Sequence, residues 1–216
     1  MFTGFSPETM DFLWGIRMNN NKEWFEAHKS NYVNLLYEPM KALGKAVFQS
    51  LPQPVGLDLK VSRIYRDARL HPPVPYKESL WFCIRRHVEQ WSRNPALYFE
   101  IRPEGASYGF LLWQPGTAVM ETFRQDLLAR PHHFPKLLET AQTRSGLTLS
   151  AETYKRPKPC ALPALVPYFG WKGCLEASRS LEPGEDLFTP DLPQQVADAL
   201  IPWLPVCDYF SNFTEG

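Results

Sequence analysis

The first fifty positions carry apolar residues at helical spacing. Ser6-Pro7-Glu8 offers an N-cap followed by proline at the first helical position, and Phe5 can staple onto Met10, so the pattern predicts a helix running to about Met18. Asn19, Asn20 and Asn21 stop it, and Asn20 with Glu23 can form the capping box of a second helix. Phe25, His28, Tyr32, Leu35, Leu36, Met40, Leu43 and Val47 then keep one face apolar. Pro39 lies inside that stripe and lacks a backbone donor, which predicts a kink or break near Glu38.

From Leu57 the period changes to two, with Leu57, Leu59, Val61, Arg63, Tyr65 and Asp67 on one side, which predicts a strand over 57–67. Further strands are expected over 80–86, 97–102 and 108–113, and the turn-forming residues between the last two predict a hairpin and hence an antiparallel sheet. Helices are expected over 117–129 and 134–143 and a strand over 146–154. Nine of the 21 prolines fall between positions 157 and 205. They predict irregular loops there, then a helix from about Pro190 that Pro202 and Pro205 interrupt. Without a linker or a repeat, the expectation is one α+β domain over 1–216, a mostly antiparallel sheet covered by an N-terminal helical hairpin and later helices.

Composition narrows the class without naming an activity. Of 216 residues 44% are apolar and 14% aromatic, which excludes a largely disordered chain, and 23 cations balance 23 acids, which removes the overall basic field of a dedicated nucleic-acid binder. No 18-residue apolar run and no signal-peptide pattern is present, so no membrane partner is expected and the chain reads as cytoplasmic. Cys83, Cys160, Cys174 and Cys207 form no C-x-x-C pair, and the adjacent His132 and His133 point apart on any regular element, so no metal is called for. No G-x-x-x-x-G-K, G-x-G-x-x-G or G-x-S-x-G occurs, so no cofactor and no catalytic residue is assigned.

Charge is nevertheless segregated. Residues 60–93 hold eight cations against three acids, while 180–216 hold seven acids and neither Lys nor Arg. Within the basic segment Arg63, Arg66, Asp67 and Arg69 lead to Tyr76 and Lys77. Arginine forks bind carboxylate or phosphate oxygens, lysine adds a point charge, and a tyrosine hydroxyl donates a hydrogen bond. Three readings of Arg63 stay open: it leaves the core at a strand end and pairs with Asp67, it belongs to an anion site, or it belongs to a nucleic-acid surface.

Three motifs carry a resemblance. Asn20-Asn21-Lys22-Glu23-Trp24-Phe25, Arg63-Ile64-Tyr65-Arg66-Asp67-Ala68-Arg69 and Pro75-Tyr76-Lys77, with weaker matches in the 109–113 strand, at Arg124 and at Lys155-Arg156-Pro157, resemble the uncharacterised bacterial family catalogued as domain of unknown function 2461. Members typically have a polar Ser-x-Asp-Lys stretch where this chain has Leu70-His71-Pro72-Pro73-Val74. The resemblance implies a compact cytoplasmic α+β protein and supplies no activity.

The first function expected is binding of a small phosphate- or carboxylate-bearing ligand by Arg63, Arg66, Arg69 and Lys77, with Tyr76 as hydrogen-bond donor and Asp67 as base or as holder of the arginines. The alternative is a nucleic-acid or protein-binding module using segment 60–93, with Tyr65, Tyr76, Trp81 and Trp91 as stacking surfaces. Nucleic acid is the less favoured partner because the net charge is zero. A self-associating role, acidic C-terminal portion against basic segment, is the third.

Overall fold

The computed structural model of the chain describes residues 2–52, 55–67, 69, 74–87, 93–156 and 158–214. Helix α1, Pro7–Met18, begins at Ser6, whose backbone N–H donates to Thr9 Oγ1 at 3.1 Å. Helix α2, Lys22–Ala27, is capped by Asn21, whose Oδ1 accepts from the Trp24 N–H at 2.9 Å. The cap is therefore one residue later than the expected Asn20–Glu23 box, because the Asn20 side chain is committed elsewhere.

The apolar stripe then continues through a short turn α3, Lys29–Asn31, a π-helical turn, Tyr32–Tyr37, and helix α4, Glu38–Ser50. The expected break is this π-turn, just before Pro39. Pro39 cannot donate to the carbonyl four residues back, Leu35, and that carbonyl accepts Thr9 Oγ1 from α1 at 2.9 Å. One hydroxyl thus closes the helix start at Ser6 and serves the wide turn in the neighbouring helix. Thr9→Val keeps the shape but removes the donor, and a cost of about 1–2 kcal/mol in urea unfolding is expected. A change within experimental error would show that the Leu35 carbonyl is satisfied without Thr9.

Six antiparallel strands follow: β1, Leu57–Val61, β2, Leu80–Arg86, β3, Ala96–Arg102, β4, Gly105–Leu112, β5, Thr148–Thr153, and β6, Trp171–Leu181, in the order β1-β2-β3-β4-β6-β5. The hairpin between β3 and β4 is tighter than expected, with only Pro103 and Glu104 between the strands. Gly105 makes this possible: its φ of 136° is open to glycine, and a Cβ there would lie 2.1 Å from the Leu181 carbonyl oxygen. Strand β1 stops at Val61, short of the expected 67. Segment 62–66 continues as an irregular extension because its partner contains Pro75, which lends its carbonyl to the Arg66 N–H (2.8 Å) but has no N–H to return.

Between β4 and β6 the chain forms α5, Gly116–Ala129, α6, His133–Ser145, strand β5 and the short helix α7, Val166–Phe169. Strand β6 corrects the expectation of irregular loops. It is the longest described strand, it runs without proline, and Trp171, Leu175, Ala177 and Leu181 alternate along it. The short helix α8, Glu185–Phe188, leads into α9, Leu192–Leu200. A 3-10 turn at Ile201–Trp203 passes into α10, Leu204–Thr214. Pro202 and Pro205 bend this path without ending it, since each sits near the start of its segment, where no N–H is required.

The helices pack on the sheet face that carries Phe82, Phe99, Tyr108 and Phe110. Phe99 stacks near-parallel with Phe82, Tyr108 and Phe5, and Phe110 stacks on Trp203 at 5.2 Å. One hydrophobic core runs from Phe2 to Phe210. Cys83 and Cys207 are buried. No helix among the described residues is long and apolar enough to cross a membrane.

Candidate functional site

The three motifs of the sequence meet in space. The Asn20 amide brackets the backbone of Tyr76, its Oδ1 accepting from the Tyr76 N–H and its Nδ2 donating to the Tyr76 carbonyl, both at 3.0 Å. Phe25 stacks on the Tyr76 ring at 4.1 Å, and Tyr65 bridges Tyr76 in antiparallel fashion. The same Tyr76 carbonyl accepts Arg66 Nε at 2.9 Å, and Lys77 Nζ donates to the Arg63 carbonyl at 2.8 Å. Asn20, Phe25 and Tyr76 therefore form a clamp whose Tyr76 carbonyl holds Arg66, while the Lys77 ammonium is tethered separately to the Arg63 carbonyl.

The candidates do not all converge. Arg66 and Lys77 line one open cleft of about 420 Å³, together with Arg17, Arg102, Glu78 and Glu100. Tyr76 is buried and does not line it. Its ring lies in the aromatic cluster, where burial raises the phenol above its ordinary value and Tyr65 and Glu26 raise it further. The Arg63 side chain is exposed, because the alternation changes phase after Val61 and buries Ser62 and Ile64 instead, and only its backbone carbonyl enters the arrangement through Lys77. Asp67 holds Arg69, taking Nε at 3.0 Å and an Nη at 2.6 Å, but the Arg69 side chain is 88% exposed and neither residue lines the cleft. Residues 70–73, Ala68, Trp91 and Pro157 lie outside the described residues.

The electrostatics of the cleft are uneven. Arg17 is engaged by Glu78 at 2.6 Å and by Glu104, and Arg102 by Glu100. Arg66 spends Nε on a neutral carbonyl, and its Nη groups have no hydrogen-bond partner among the described residues. Burial lowers the Lys77 ammonium, and the neighbouring Arg66 and Lys60 lower it further. Arg66 and Lys77 therefore form a pair of cations close enough to repel and without a carboxylate of their own, which an incoming anion would relieve.

The cleft adjoins a second cavity that sequence reasoning missed. On the sheet face opposite the helices, Trp81, Cys83, Ala96, Tyr98, Leu111 and Trp113 line a trough of about 490 Å³ whose polar members are Asn94, Glu100, Arg102 and Glu176. Glu100 and Arg102 belong to both cavities, and Lys77 Nζ lies 5.7 Å from the centre of the Trp81 ring. On the trough floor the Tyr98 hydroxyl donates to Glu176 Oε1. The contact runs diagonally across β4, from Tyr98, which faces Gly109, to Glu176, which faces Leu111. Burial pushes the Tyr98 phenol well up, and the Glu176 carboxylate pushes it further. The signal lay in the outward alternation of strands 80–86 and 97–102, where aromatic residues occupy positions normally left to polar ones.

Elsewhere, Arg86 of the basic segment meets Asp208 of the acidic C-terminal portion at 3.0 Å within the chain. Among the described residues no group of three His, Cys, Asp or Glu side chains is placed to hold a metal ion. A family model described as conserved hypothetical protein (DUF2461) matches residues 8–209 of the chain. No curated protein matches it.

Proposed function

We propose that this chain, which belongs to the DUF2461 family, binds a small ligand through a phosphate or carboxylate group seated between Arg66 and Lys77. The observation that supports it is their convergence on one cleft, each tethered through a backbone carbonyl and each keeping donors to spare. A guanidinium fixed at Nε offers its Nη edge to an anion already oriented, which lowers the ordering cost of binding. Arg17 and Arg102 add a positive rim that carboxylates partly neutralise, and so contribute attraction more than contact.

Calorimetric titration with inorganic pyrophosphate tests this reading. Arg66→Met and Lys77→Met are each expected to weaken binding by about tenfold or more, the worth of a charge-assisted hydrogen bond. The pH dependence has a definite sign. Lys77 titrates below 10.5, its charged form is the one that binds, and affinity falls as pH rises through that lowered value. Lys77→Met removes this dependence. Wild-type affinity in both variants would overturn the reading, and oligonucleotide binding at low salt in place of pyrophosphate would favour the surface use of segment 60–93.

A further inference from the structure

We infer that the ligand's other end is a flat aromatic ring bearing an amino group, lying in the trough against Trp81 and Trp113 with its amine on Glu176, as in an aminopyrimidine or aminopurine nucleotide. The inference rests on the anion reading above only for the acidic end of the ligand. Three features of the trough carry the rest.

Its size lies within the range of small-molecule sites, and its walls are mainly aromatic and apolar. Trp113 is 54% exposed and Trp81 half-buried, so indole surface is available on which a planar ring can stack. The second feature is charge. Glu176 stands half-buried at the end of the trough that adjoins Ser107, Ser178 and Ser180, and a carboxylate partly withdrawn from water gains from each donor that meets it. Tyr98 supplies one donor to Glu176 Oε1, and the other oxygen has no hydrogen-bond partner among the described residues. An exocyclic amine fits that position, whereas a ring carbonyl would set oxygen against oxygen. The third feature is continuity. Trough and basic cleft share Glu100 and Arg102, and Lys77 lies over the Trp81 ring, so one molecule can reach both.

The test compares nucleotides that differ only in donor and acceptor, CMP against UMP and AMP against IMP, with ribose 5-phosphate and cytidine as the two halves. Wild-type protein is expected to prefer the amine-bearing member of at least one pair by about tenfold or more and to bind it more tightly than ribose 5-phosphate. Glu176→Gln, whose amide can turn to either partner, is expected to abolish that preference and leave ribose 5-phosphate binding unchanged. Trp113→Ala weakens both members of the pair. Equal affinity for both members, a preference that survives Glu176→Gln, or no nucleotide binding overturns the inference. If ribose 5-phosphate still binds in a Lys77-dependent way, the anion reading stands without it. Cytidine binding that Lys77→Met leaves intact, without any ribose 5-phosphate binding, would instead remove the anion reading and keep the trough.

Discussion

Arg124→Ala is expected to destabilise the protein by about 3–5 kcal/mol, read as a lower urea midpoint at unchanged slope. Arg124 lies on α5 and is only 2% exposed. Its guanidinium donates to the Met120 carbonyl at 3.1 Å, the Trp171 carbonyl at 2.5 Å and, more weakly, the Phe169 carbonyl at 3.4 Å, with Glu121 at the rim at 3.3 Å. Two of those carbonyls flank the turn into β6, so one charge fixes where the longest described strand begins. Alanine leaves them without their donor and opens a cavity, and both effects act in the same direction. Arg124→Lys keeps the charge but not the planar fork, so it is expected to recover only part of the loss. A cost below about 1 kcal/mol for alanine would mean that water satisfies the carbonyls.

Gly109→Ala should cost about 3 kcal/mol or more, although it adds a single methyl group. An added Cβ would lie 1.9 Å from the Ala177 carbonyl oxygen and 2.9 Å from Ser178 Cα. Both are backbone of the neighbouring strand and cannot rotate aside, so β4 and β6 must separate where their ladder joins the two halves of the sheet. The same methyl group would also stand in the row from which Tyr98 reaches Glu176. Thermal unfolding measures the first effect, and loss of nucleotide binding in whatever fraction folds measures the second. A wild-type melting temperature would show that the strands tolerate the separation.

Local signals in the sequence carried the helices and most strands, and chain distance explains what they missed. Ser6-Pro7 marks the start of α1 by short-range chemistry, and Leu80–Arg86 is bounded by its own alternation. Strand β6 is masked by the prolines that crowd 157–205 as a whole, although they leave 168–182 free. At the cleft, residue type singled out Arg66 and Lys77 along with their neighbours but could not separate a side chain that lines the cleft from one that does not. Tyr76 looked like a donor to substrate, yet it serves through its backbone, because Asn20, 56 positions earlier, takes its N–H and carbonyl. Glu176 was invisible as a site residue because its partner Tyr98 lies across an intervening strand.

The strand order has a kinetic consequence. Strands β2, β3 and β4 follow one another in sequence and in space, so their ladders close short loops and can form early. Strand β6 reaches β4 only after α5, α6 and β5 have been threaded past, and it must enter between β4 and β5. Until it does, β4 presents an open, apolar edge. The protein's vulnerable interval during synthesis is therefore the time between emergence of Leu112 and emergence of Leu181, when that edge can pair with another chain. The Glu176 end of the trough is completed in the same late step, so a ligand of the kind proposed above would find no complete site on that intermediate.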